Sequence, residues 1–105
     1  MGKTPRYSVI VADRARQMLA VHVRFLANVS PPAARRTKTE IVKAIRSLAI
    51  MPERFPFLDA EHIPPNRYHK MFVENWYLIL YQVKDNTVYV DYIVDCRQDY
   101  GWLIK

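Results

Sequence analysis

Glycine is nearly missing from this chain. Its 105 residues hold two, Gly2 and Gly101, and neither belongs to a Gly-rich turn of the kind that cradles a nucleotide's phosphates. Nucleotide hydrolysis through such a loop is therefore not expected. Cysteine occurs once, at Cys96, so an internal disulfide is excluded and a reducing compartment is expected. Long hydrophobic runs are lacking too. The longest uncharged apolar stretch, Trp76 to Val83, is too short to cross a bilayer, and the opening MGKTPRYSV has no apolar core of a secretory signal. A cytoplasmic protein with no membrane partner is the expectation. His22, His62, His69 and Cys96 show no paired short spacing, so neither a metal site nor a cofactor is expected. No repeat or Gly/Ser linker interrupts the chain, which reads as a single domain over residues 1–105.

What is abundant is positive charge, unevenly placed. Up to Met51 there are ten Lys and Arg against Asp13 and Glu40, a net +8; beyond it six stand against eight acids, a net −2. The cationic first half would attract a polyanion or an acidic protein, though a solvated helix surface gives the same pattern.

The order of elements follows from periodicity. Tyr7 to Ala12 is rich in Val and Ile and predicts a first strand. Asp13 is expected to cap a helix from about Arg14 to Asn28, with an apolar stripe of Ala15, Met18, Leu19, His22, Phe25, Leu26 and Val29. His22, in that stripe, reads as a hydrogen-bonded core residue. Ser30-Pro31-Pro32 ends this helix and begins the next, because proline is tolerated where the missing amide hydrogen has no partner. The second stripe is Ala34, Thr37, Ile41, Ala44, Ile45 and Leu48; Arg35, Arg36, Lys38, Lys43 and Arg46 fill much of the rest, and Pro52 stops the helix. Residues 52 to 66 carry four prolines and read as a loop pinned by Phe55, Phe57 and Leu58.

Three strands come next, Arg67 to Glu74, Trp76 to Lys84 and Thr87 to Cys96, joined at Glu74-Asn75 and Asp85-Asn86. The middle one is apolar on both faces and belongs inside the sheet. In the last, Val88, Val90, Tyr92, Val94 and Cys96 are expected on one face, with Tyr89, Asp91, Ile93, Asp95 and Arg97 opposite. The result is an α+β fold, β-α-α-β-β-β, with an N-terminal helical hairpin packed on a small, mainly antiparallel sheet. Cys96, expected to face inward, reads as a small buried apolar residue.

That order, the meander YHKMFVENWYLILYQVKDNTVYVDYIVDCRQDY, and above all LYQVKDNTV running into a basic-aromatic end resemble the RelE/ParE superfamily of bacterial type II toxins, over roughly Tyr7 to Leu103. The resemblance implies a small toxin neutralised by an acidic antitoxin. Its target would be the ribosome and its mRNA, cleaved in the A site, or DNA gyrase, poisoned without enzyme chemistry. A degenerate member would keep the fold and bind only its antitoxin. In the RelE-like enzymes basic residues of the strand matching Arg67 to Glu74 face the scissile phosphate, which here are His69 and Lys70. Arg97 and Tyr100 match the basic residue and tyrosine at the end of the last strand, while the enzymes' middle-strand arginine falls at Leu78. Arg97-Gln98-Asp99 has the arginine-then-aspartate form common in ParE-like proteins.

Metal-free RNA cleavage needs a base, an acid and fixed positive charge at the phosphate. His69, Lys70, Arg97 and Tyr100 are the candidate catalytic residues; Arg67, Arg97 and Tyr100 are the candidate target-binding residues. Each also has an ordinary reading: a solvated lysine, a cross-strand histidine, an arginine paired with Asp95 or Asp99, a terminal aromatic clasp. The neighbouring Asp91, Asp95 and Asp99 lower the local potential and weigh against a bare phosphate site. The second helix offers Arg35, Arg36, Lys38, Lys43 and Arg46 as the candidate antitoxin-binding residues.

Overall fold

In the computed structural model, residues 6–59, 61, 64–74 and 76–96 are described. Ser30 alone joins the first two helices, α1 (Asp13–Val29) and α2 (Pro31–Ser47). Its extended backbone (φ −154°, ψ 101°) turns the chain. Its amide hydrogen donates to the Leu26 carbonyl at 2.7 Å, ending α1, while its Oγ accepts from the Ala33 amide at 3.4 Å, starting α2. The two prolines fill the first turn of α2, so the hairpin is as tight as the sequence predicts. At the other end of α1 the expectation needs correcting: Ala12 is the capping residue, without a side-chain cap, and Asp13 is the first helical residue. There its carboxylate faces the positive end of the helix dipole.

Helix α2 buries Ala34, Thr37, Ile41 and Ile45, and Leu48 joins them in the core, as its stripe requires. Helix α1 departs from its own. Ala15 is buried and Met18, Leu19 and Leu26 pack against the core, but Phe25 is 63% and Val29 74% exposed. The stripe is wider than the face α1 presents to α2 and the sheet; Phe25 lies at its margin and Val29 at the helix's last residue.

The sheet comprises β1 (Ser8–Val11), β2 (His69–Val73), β3 (Tyr77–Lys84) and β4 (Thr87–Asp95) in the order β1-β4-β3-β2. β1 runs parallel to β4, Ser8 opposite Thr87 and Val11 opposite Val90, and the other two pairings are antiparallel. β3 is internal, and Tyr77 to Tyr81 are buried on both faces.

β4 breaks the simple alternation expected of it. Tyr81 pairs with Val90 and Leu80 with Tyr92, so Asp91 is left over in a bulge. One extra residue inverts the phase. Val88, Val90 and Ile93 join the helix-side core, whereas Tyr92, Val94 and Cys96 belong to a second cluster with Leu58, Leu78 and Leu80. Ile93 therefore faces the helices, and Tyr92 and Val94 the opposite side.

The proline-rich segment opens with a 3-10 turn, Pro52–Arg54. Leu58 is buried and Phe55 packs on the core, as expected, but Phe57 stays 43% exposed. The Arg54 guanidinium donates to the carbonyls of Ser47, Ile50 and Met51, fastening this segment to the end of α2. No described helix is long and apolar enough to cross a membrane.

Candidate functional site

Neighbouring residues on a strand point to opposite faces, and this separates the two candidates of β2. His69 lies on the helix side with Met71 and Val73, all buried; Lys70 is half-buried on the other face. His69 is held on three sides. Its Nδ1–H donates to the Phe55 carbonyl at 2.8 Å, and its ring stacks between Phe57 at 4.2 Å and Tyr81 at 5.2 Å. The Tyr81 hydroxyl in turn donates to the Pro52 carbonyl at 2.6 Å, and burial pushes its pKa up to about 12. His69 thus binds the 52–57 segment to the sheet.

On the opposite face Lys70 lies in register with Leu80 and, through it, Tyr92, whereas Arg67 precedes β2 and β4 ends beside Tyr77, opposite Val73 at the far end of β2. At the position of the enzymes' middle-strand arginine, Leu78 is fully buried among Leu58, Leu80 and Val94. Around this apolar floor runs a chain of aromatic and cationic groups. The Arg67 guanidinium lies 5.9 Å from the Tyr68 ring, Tyr68 meets Tyr92 edge-on at 6.0 Å, and Arg14 covers Tyr92 at 4.5 Å while donating to its hydroxyl at 2.6 Å. Burial, and then the Asp91 carboxylate, raise the Tyr68 pKa. Asp91, displaced by the bulge, accepts from Gln82 at 2.7 Å. Arg14 is not among the sequence candidates; its only sequence signal is a position one turn before Met18.

β4 delivers the chain to Cys96, whose amide donates to the Trp76 carbonyl at 2.6 Å. Burial first, and Asp95 second, push the Cys96 thiol up, which keeps it protonated and unreactive. Arg97 and Tyr100 lie outside the described residues. His22 has the expected role: its Nε2–H donates to the Ile93 carbonyl at 2.8 Å, and its ring lies 5.5 Å from Tyr77.

The helical hairpin carries a second surface. Arg35, Lys38, Lys43 and Arg46 line one outward face of α2 around Thr39 and Val42. Arg36 departs from them to the other flank, near Thr37, Glu74 and Trp76. A groove of about 390 Å³ continues onto α1, with Leu19, Ala20 and Val23 as its floor and Arg16, Arg24 and Lys38 as its rim. Arg16 and Arg24 are not sequence candidates either: eight residues apart, they form no cluster along the chain, and the helix brings them to one rim.

The sequence profile of the family described as the ParE toxin of type II toxin-antitoxin system, parDE, matches residues 9–100. Among solved structures, the fold is similar to a chain of the chromosomal ParDE TA system from P. aeruginosa, with a TM-score of 0.72 and 16% identity over 88% of this chain and 98% of that one. No curated protein matches.

Proposed function

The chain belongs to the ParE toxin family of type II toxin-antitoxin systems, and from that premise we propose that it arrests growth by binding a protein target, DNA gyrase, rather than by cutting mRNA. The observation that carries this reading is the separation of His69 from Lys70, the two nuclease candidates among the described residues. His69, the natural proton carrier, is buried beneath Phe57 on the helix side, while Lys70 is on the other face. Leu78 supplies no charge where a phosphate would need it. A base and a cation separated by a sheet cannot act on one phosphate. The cationic hairpin surface, with apolar residues between its charges, is the docking place of an acidic antitoxin, in which charge steers the encounter and apolar contact supplies affinity.

Inducing the chain alone in bacteria tests the target. Growth arrest with DNA breaks, altered plasmid supercoiling and an induced damage response is the expected result. Arrest with codon-phased mRNA cuts, lost in Arg97→Ala, would instead establish a ribosome-dependent nuclease. Undisturbed growth with antitoxin binding intact would mean a module that retains only its partner.

A further inference from the structure

Monomeric proteins rarely leave large apolar side chains grouped on one surface, and here four of them gather toward one end of the molecule. Val21, Phe25 and Val29 recur every fourth residue of α1, each more than half exposed, and form a ridge along one flank of the helix. Leu26, on the same last turns, lines a cavity of about 200 Å³ with Ala33 and Thr37 of α2 and with Trp76 and Tyr77, where β3 begins. Trp76 is itself half exposed, so the ridge and the indole stand on neighbouring parts of one surface.

This surface is not the cationic one. Leu19, Ala20 and Val23, which floor the groove beside Arg16, Arg24 and Lys38, lie on the other flank of α1. The charges beside the ridge are balanced instead: Arg36 and Glu74, both exposed, line the same 200 Å³ cavity. One cation and one anion bordering an apolar patch make a self-complementary arrangement, because a two-fold axis through the patch brings each charge to the opposite one of a second copy. An acidic partner gains little here, since Glu74 offsets Arg36. Between half and three-quarters exposed, the four apolar side chains present on the order of 400 Å². Doubled by a second copy and extended by the polar rim, that reaches the lower end of specific interfaces, ~1,200 Å² in total.

We propose that two copies of this chain pair through this end of the fold about a two-fold axis, with Phe25, Val29 and Trp76 packed at the centre and Arg36 of each copy against Glu74 of the other. The contact is small, so the dimer is weak, dissociating on the order of 10–100 μM. Exposed ion pairs add little affinity, and Arg36 with Glu74 serves to fix the register. Each copy carries a net charge of +6, which repels the other at long range; salt screens that repulsion and leaves the apolar contact in place. Self-association therefore tightens with salt, whereas binding of an acidic antitoxin to the cationic hairpin weakens. The opposite signs separate the two surfaces, and pairing is compatible with a bound antitoxin.

Sedimentation equilibrium of the free chain from about 1 μM to about 1 mM, at about 50 and about 500 mM salt, tests this. The expected result is an equilibrium between monomer and dimer that tightens at the higher salt. A monomer throughout, growth beyond the dimer, or a dimer that loosens with salt would overturn the proposal. Phe25→Glu changes a side chain that is 63% exposed, so the fold survives, and pairing is expected to weaken at least tenfold; an unchanged dimer would refute the ridge as the contact. Arg36→Glu and Glu74→Arg should each weaken pairing about threefold, while the double variant, which restores opposite charges across the axis, regains the wild-type affinity. No recovery would refute the two-fold arrangement. Antitoxin is expected to leave the pairing intact; a dimer that dissolves on adding it, with antitoxin affinity lost in Phe25→Glu, would assign the ridge to the antitoxin and overturn the proposal.

Discussion

Replacing Tyr81 with phenylalanine makes the most direct test of how the 52–57 segment is held. The hydroxyl is fully buried and donates to the Pro52 carbonyl at 2.6 Å. Removing it leaves a buried acceptor unpaired, at a cost of ~1–3 kcal/mol. A second, independent signature comes from alkali. The Tyr81 pKa rises from 10.0 to about 12 on folding, so the folded state resists ionisation that the unfolded chain accepts. Its contribution is fully present below pH 10 and is lost as pH rises from there through about 12. A displacement of this size corresponds to about 3 kcal/mol at its limit. Urea unfolding of the wild type and of Tyr81→Phe, followed by circular dichroism at pH 8, 10 and 11.5, should therefore show a gap that is largest at pH 8 and closes as the wild type loses its advantage. Taking the difference between the two proteins cancels the other tyrosines, Tyr68 with its own raised pKa included. A gap that stays constant across this range would refute the reasoning.

Leu78→Ala should cost ~2–5 kcal/mol by opening a void between Leu58, Leu80 and Val94, measured by chemical denaturation; a loss below 1 kcal/mol would mean that the second cluster contributes little. Arg14→Ala removes a guanidinium that both covers and hydrogen-bonds Tyr92 and should cost about 1 kcal/mol, with the loss absent when Tyr92 is already alanine in a double-mutant cycle. Ser30→Ala should cost ~1 kcal/mol through loss of the α2 cap, read as a lowered midpoint with an unchanged denaturant slope. Reversing Arg35 and Lys38 to glutamate should slow antitoxin association and flatten its salt dependence, measured by stopped flow, while Arg36→Glu, on the other flank, should do so less.

Several elements could be read from neighbours in the chain because their causes are local. Ser30-Pro31-Pro32 had to be a helix junction, since a serine oxygen caps the helix after it and prolines fit only the first turn. The α2 stripe and the doubly apolar β3 come from spacing alone. The candidate site was less legible. That His69 and Lys70 oppose each other is a consequence of strand alternation, but which of them meets the helices depends on the segments that pack there. Arg97 and Tyr100, named from the resemblance, lie beyond the described residues.

The sequence by itself determined the kinds and order of the elements, the helical hairpin and the segregation of positive charge into the first half, because each depends on residues a few positions apart. Tertiary structure decided the rest: β1 lying parallel beside β4, Asp91 extruded so that Ile93 fills the core, and His69 enclosed by two rings. These depend on contacts between segments distant in sequence, whose volumes must fit together, and no window along the chain contains both sides of such a fit.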